Sequence, residues 1–248
     1  MGTPELTRNG AVATITLSRP QQANRLQQED LAALAAHLDS VNADEQIRVL
    51  RLASTGNYFC SGYNIGELGA ARKVDFEQVA NSLERARPVT VAVMQGGVYG
   101  GATDLALACD FRLGVEGMEM FMPPVRLGLH FYRGGLERYV TRLGLNNAKR
   151  LLLTAERIGA EEMKAIGFLT ELCTSDTLQE RADGLSATLA GLAPLALLGM
   201  KRHLNDIARG QLDGQALQQD IRRAAQSRDL REGRAAWLEK RAPRFTGD

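Results

Sequence analysis

Hydrophobic positions along this chain switch between two periods. Val12, Thr14 and Thr16 fall on alternate positions, and residues 3 to 17 read as a hairpin entry into the fold. Leu31, Leu34, Ala35 and Leu38 then recur at helical spacing, which predicts a helix from Gln27 to Val41. Apolar runs near 47 to 53 and 88 to 94 have the length of buried strands, and each leads into a helical pattern. Another such unit begins at Phe111-Arg112-Leu113-Gly114. Repetition of strand, turn and helix is the pattern of an α/β domain with parallel pairing. After about residue 140 the pattern becomes nearly all helical, over Asn147–Leu153, Gly159–Ile166, Thr177–Leu192, Pro194–Ile207 and Gln215–Asp229. Pro194 suits a helical first turn, where its missing N–H removes no bond.

Two of the connecting turns carry chemistry. The strand-like run Val89 to Met94 enters a helix through Gly96-Gly97-Val98-Tyr99-Gly100-Gly101. Glycines at a helix start let a ligand approach the backbone, and the first amides there have no intrahelical acceptor. Such donors suit negative charge developing on an oxygen, although Gly-rich turns also serve packing. Upstream, the buried run Val49 to Ala53 leads into Ser54-Thr55-Gly56-Asn57-Tyr58-Phe59-Cys60-Ser61-Gly62-Tyr63-Asn64-Ile65, a second turn of the same kind. The pair is more specific than either turn alone.

Four ordered motifs extend the pattern nearly from end to end. They are Val12 to Pro20 with Ala23-Asn24, then Phe59 to Ile65, then Gly100-Gly101, then Pro123-Pro124-Val125-Arg126-Leu127-Gly128; Ser227 to Gly233 and Phe245 follow. With these the chain resembles the enoyl-CoA hydratase/isomerase (crotonase) superfamily. The resemblance implies an α/β crotonase (ClpP-like) spiral of repeated ββα units, with a C-terminal helical trimerisation region. It divides the chain into residues 1–190, the spiral core with an acyl-CoA site, and 191–248, a helical region for oligomerisation and closure of the CoA site. A homotrimer or homohexamer is implied.

The implied chemistry is stabilisation of a thioester enolate by two backbone N–H groups, which match Tyr63 and Gly101. Hydratases of the family also carry two glutamates. Here Asp104 stands at the first position and Pro124 at the second. Asp104 keeps a carboxylate one methylene shorter, and Pro124 cannot move a proton. Water addition needs both groups, whereas isomerisation needs one shuttling base, for which Asp104 would serve. Decarboxylation or C–C hydrolysis of a β-carbonyl acyl-CoA needs less base, and a non-catalytic thioester-binding or scaffolding protein is the alternative of another class.

His130 and Tyr132 stand near Pro124 and are the candidates to replace its missing group. A histidine titrates nearest neutrality, but one without an orienting partner also reads as a plain loop residue. The segment from His130 to Gly135 is expected as a loop lining the acyl pocket. Asn64 is expected to cap the helix that follows it. The CoA moiety, as part of the substrate and with no cofactor bound permanently, is expected against Arg25, Ser61, Tyr63, Ile65, Lys240 and Phe245. His37, His203 and Lys201 fall in helical patterns, and Lys201 reads as a solvated residue.

Composition narrows the partners. The chain has 248 residues and a formal net charge of +1 with both signs spread along it, so no electrostatic nucleic-acid binder is indicated. Cys60, Cys109 and Cys173 show no metal-ligand spacing and read as reduced and mostly buried. No signal peptide or long apolar span is visible, so a cytoplasmic protein without a membrane partner is expected.

Overall fold

The computed structural model describes residues 2–64, 66 and 74–248. The chain opens as an antiparallel hairpin, β1 (Glu5–Asn9) and β2 (Val12–Leu17), and continues through helix α1 (Gln28–Ala43). Three strand pairs follow: β3 (Val49–Ser54) with β4 (Tyr58–Cys60), β5 (Val89–Met94) with β6 (Gly97–Tyr99), and β7 (Phe111–Val115) with β8 (Glu119–Phe121). Helix α2 (Phe76–Glu84) separates the first two pairs and α3 (Gly101–Ala108) the second and third.

The first strand of each pair joins a six-stranded sheet of order β1-β2-β3-β5-β7-β10, where β10 is Glu171–Cys173. The second strand of each pair joins a four-stranded sheet, β4-β6-β8-β9, where β9 is Ile158–Gly159. The pairings β3 to β5 to β7 and β4 to β6 to β8 are all parallel. Each ββα unit therefore adds one strand to each sheet and steps the chain along both. This arrangement explains the sequence pattern of β5, buried at all six positions: a central parallel strand has no solvent face.

Helices α4 (Arg133–Leu143), α5 (Leu145–Thr154), α6 (Ala160–Ala165) and α7 (Leu178–Ala190) follow, and then α8 (Pro194–Ala208), α9 (Gly214–Gln226) and α10 (Arg228–Glu239). The single helix expected over Gln215–Asp229 ends early. At Ser227 the backbone turns extended and the hydroxyl accepts the Leu230 N–H at 3.0 Å, capping a new helix. The loop expected over His130–Gly135 is also shorter, because Gly134 and Gly135 belong to the first turn of α4 and are buried there. A β-carbon on Gly135 would stand 2.4 Å from the Phe131 ring and 3.0 Å from the Tyr132 ring, so the missing side chain leaves room chiefly for Phe131.

Lys201 is not solvated. It is buried, donates to the Pro88 carbonyl at 2.5 Å and pairs with Asp110 at 2.9 Å, tying α8 to the strands of the large sheet. All three cysteines are buried and free, and burial pushes the thiols of Cys60 and Cys109 up to about 12. Among the described residues no single helix is long and apolar enough to cross a membrane.

Candidate active site

Asn24 sets the edge of the site. Held at φ +52°, it is buried, and its side-chain amide donates to the carbonyls of Thr55 and Tyr58, each at 2.8 Å. Its oxygen accepts the Arg19 N–H at 2.9 Å. This knot anchors the turn after β3, and the next residues pair with it: Ser61 N donates to Ala23 O at 2.9 Å, Leu26 N to Gly62 O at 2.8 Å and Asn64 N to Leu26 O at 2.9 Å. Leu26 and Tyr63 thus form a parallel bridge, in which peptide alternation turns the Tyr63 N–H to the side opposite Leu26.

This turn meets the second Gly-rich turn at Gly62. Gly62, at φ +91°, lies so close to it that a β-carbon would stand 2.8 Å from the Tyr99 carbonyl oxygen and 3.2 Å from the Gly101 nitrogen. Gly101 opens α3, where the backbone N–H has no acceptor within the helix. The structure therefore sets the peptides of Tyr63 and Gly101 beside each other. Asn64 Oδ1 accepts the Gly66 N–H at 3.2 Å, as a residue starting the next turn would. Ile65 lies outside the described residues.

One helical turn below Gly101, Asp104 is 0 % exposed. Both of its oxygens are engaged. Arg138 Nε donates to Oδ1 at 2.7 Å and Nη2 to Oδ2 at 2.6 Å, a bidentate ion pair with the guanidinium also 0 % exposed. The Tyr132 hydroxyl donates to Oδ2 at 2.5 Å. Burial and then the neighbouring Asp104 charge push the Tyr132 phenol well above its ordinary value, while Arg138 pulls the other way. Burial alone would lower the Arg138 pKa, but bonding to Asp104 and the charges of Asp104 and Glu84 raise it. Sequence reasoning missed Arg138. Its signal is an arginine on the stripe of α4 that also holds Gly134, Gly135 and Tyr139, all buried.

Aromatic rings wall this region. Phe76, on α2, packs over the Gly101 α-carbon, with a β-carbon there 2.8 Å from its ring. Its ring centroid is 6.2 Å from that of Tyr63 and 6.3 Å from that of Tyr132. The Tyr63 hydroxyl in turn accepts from Gln28 Nε2 at 2.8 Å. Tyr63, Phe76 and Tyr132 thus run continuously from one Gly-rich turn to the buried carboxylate.

The other sequence candidates stand as follows. His130 is exposed, and its Nδ1 stands 2.8 Å from the Phe131 carbonyl oxygen. Pro124 is buried at the start of a 3-10 turn, Pro124–Leu127. Arg25 is half-buried, and its buried Nε has no hydrogen-bond partner among the described residues. Lys240 caps the exposed end of α10, and Phe245 packs beside Gly233 with its carbonyl accepting from Arg48 at 3.1 Å. Among the described residues no cluster of histidine, cysteine and carboxylate side chains has the geometry to hold a metal.

Two sheets filled in step by repeated ββα units, followed by a helical C-terminal region, are the crotonase fold. The chain belongs to the enoyl-CoA hydratase/isomerase family, whose family model matches residues 7–248. It is 28 % identical to the 2,3-dehydroadipyl-CoA hydratase of Escherichia coli, over 98 % of each chain. It is 29 % identical to the 1,2-epoxyphenylacetyl-CoA isomerase of the same organism, over 95 % of each chain. An enoyl-CoA hydratase from Bacillus anthracis superposes with a TM-score of 0.91 at 26 % identity, over 100 % of both chains. The chain is an enzyme of this family, and membership implies a CoA thioester substrate. Near-equal identity to a hydratase and to an isomerase leaves the reaction to be argued from the site.

Proposed function

We propose that this enzyme forms a thioester enolate by decarboxylating a malonyl-type acyl-CoA, and that Tyr132 supplies the proton that quenches it. The thioester oxygen lies between the N–H groups of Tyr63 and Gly101. As the bond from Cα to the carboxylate breaks, its electron pair passes through Cα to that oxygen and CO2 leaves. The two amides meet the resulting charge in a site walled by Phe76 and Tyr132. The Tyr132 O–H then rotates from Asp104 and gives its proton to Cα, and the phenolate recovers a proton from water.

The observation that carries this reading is the bidentate grip of Arg138 on Asp104. A carboxylate with both oxygens held and no exposure is poorly placed to take a proton from carbon or water. What remains at the aromatic wall is a phenol that keeps its proton through neutral pH, because burial and Asp104 raise its pKa. Such a group is a donor. An enolate carbon is a far stronger base than a phenolate, so even a suppressed phenol protonates it. Hydration needs a second carboxylate where Pro124 stands, and isomerisation needs a base that first removes a proton.

For the CoA moiety, the buried unpartnered Nε of Arg25 supports a contact at the pocket edge. We also propose that residues 191–248 assemble the chain into trimers. Met200, Leu204, Ile207, Trp237 and Leu238 on α8 and α10 are exposed, Trp237 at 85 %. An apolar groove of about 660 Å³ beside Leu230, Trp237 and Phe245 adds to that face.

The test is Tyr132→Phe assayed with methylmalonyl-CoA and malonyl-CoA. The expected result is a fall in kcat of at least roughly 100-fold, the scale of a lost general acid, with KM within threefold. Crotonyl-CoA hydration faster than either decarboxylation by the unmodified enzyme would overturn the assignment.

A further inference from the structure

Arg138 holds more than Asp104. Its Nη1 donates to Asn81 Oδ1 at 2.8 Å and to Glu84 Oε2 at 3.2 Å, so every nitrogen of the guanidinium is engaged. Asn81 and Glu84 lie on α2, Asp104 on α3 and Arg138 on α4. Glu84 is also buried and is gripped by Arg209 and approached by Arg142 at 3.6 Å, while its backbone carbonyl accepts from Asn205 at 3.1 Å. Arg209 reaches Glu137 as well. Asp104, Glu84 and Glu137 are thus linked through Arg138 and Arg209 into one continuous ionic chain from Asp104 to the end of α8.

A pair that only neutralised Asp104 would not need this second anchor. The outer bonds to Asn81 and Glu84 fix the plane of the guanidinium, and that plane fixes both Asp104 oxygens. Oδ2 in turn sets where the Tyr132 hydroxyl sits. We infer that Arg138 is a positioning residue for the proton transfer: through Asp104 it holds the Tyr132 hydroxyl in place and favours release of its proton over uptake. This inference rests on Tyr132 as the proton carrier.

The preference for release follows from charge. When Tyr132 gives up its proton, the phenolate and Asp104 together carry two negative charges, and a cation bonded to Asp104 lowers the energy of that state. When the same pair takes up a proton, Asp104 loses its charge and the ion pair with Arg138 is lost. One arginine therefore shifts the two directions oppositely. A lysine keeps the charge but offers a single point of contact in place of the planar fork, so it separates orientation from neutralisation.

The experiment is a double-variant cycle with Arg138→Lys and Tyr132→Phe, read as kcat and KM for methylmalonyl-CoA decarboxylation, with circular dichroism on each variant. Arg138→Lys is expected to lower kcat at least tenfold in the parent and less than twofold in the Tyr132→Phe background, with KM changed less than twofold. Equal losses in both backgrounds, or an unchanged kcat in folded Arg138→Lys, would show a purely structural arginine. Should Arg138→Lys not fold, Glu84→Gln, which loosens the outer anchor without touching Asp104, is expected to show the same dependence on Tyr132, and its absence overturns the inference. If Tyr132→Phe alone retains full activity, the proton-carrier reading fails and this inference fails with it. If Tyr132→Phe is impaired and the arginine effect ignores it, only the inference fails.

Discussion

Gly62→Ala tests whether the two Gly-rich turns act as one device. The new β-carbon would lie 2.8 Å from the Tyr99 carbonyl oxygen and 3.2 Å from the Gly101 nitrogen, both backbone atoms that no rotamer change can move. Carbon-to-oxygen contacts settle near 3.3–3.6 Å, so the turns must part by about 0.5 Å. An alanine at φ +91° adds a backbone penalty of about 1–2 kcal/mol. For a chain of this size the combined strain predicts a Tm lower by roughly 4–10 °C. The effect on chemistry is larger. Spreading the Tyr63 and Gly101 amides removes one of the two from bonding range of a shared oxygen, and one lost oxyanion donor costs about 100- to 1000-fold in kcat. The assay is kcat/KM for methylmalonyl-CoA decarboxylation beside Gly117→Ala as control. Gly117 sits at φ +77° with nothing within 4 Å of a β-carbon, so it carries the backbone penalty without the crowding. The control should lose stability and keep its rate within twofold. A Gly62→Ala enzyme within threefold of the parent in kcat/KM would refute the shared oxyanion site.

Two further outcomes are expected. Asp104→Asn removes the bidentate carboxylate partner of Arg138 and leaves Glu84, at 3.2 Å, as its remaining buried counter-charge; the cost stays below the about 3–5 kcal/mol of a fully unpaired buried charge, so circular-dichroism melting should fall by about 5 °C, and a shift under 2 °C would show that the ion pair contributes little. Light scattering at micromolar concentration should give the mass of a trimer or of two trimers, and a monomer mass would remove the role assigned to residues 191–248.

The fold was legible because its signals are local. Each ββα unit lies within a short stretch, so the apolar runs of β3 and β5 and the Gly-rich turns after them announce the repeat without knowledge of their partners. The misreadings occur where tertiary contacts override local pattern. Helical period runs on through Ser227, and only the cap geometry divides α9 from α10. Gly134-Gly135 has the composition of a loop, yet the pair lies in the first turn of α4, because α2 side chains and the Phe131 ring occupy the space their side chains would take. Lys201 has the look of a solvated helical cation, but Asp110 and the Pro88 carbonyl stand where α8 crosses the sheet.

The same distinction separates the two halves of the site. Backbone donors are specified by turn chemistry, which a sequence states openly: glycines at 62, 100 and 101 and the helix start after them. A proton carrier is specified by what surrounds it, and the surroundings of Asp104 arrive from elsewhere, Arg138 and Tyr132 from the start of α4 and Asn81 and Glu84 from α2. His130 illustrates the cost of judging by intrinsic acidity. Histidine as a residue type suits proton transfer near neutrality better than tyrosine does, yet His130 faces solvent, while Tyr132 is set against a buried carboxylate. On the reading proposed above, burial and a fixed charge outweigh the ordinary acidity of the residue type. The usable signal in the sequence was Arg138 itself, a charge on a helical stripe otherwise buried, because such a charge requires a buried partner, and Asp104 was the carboxylate already matched to the site.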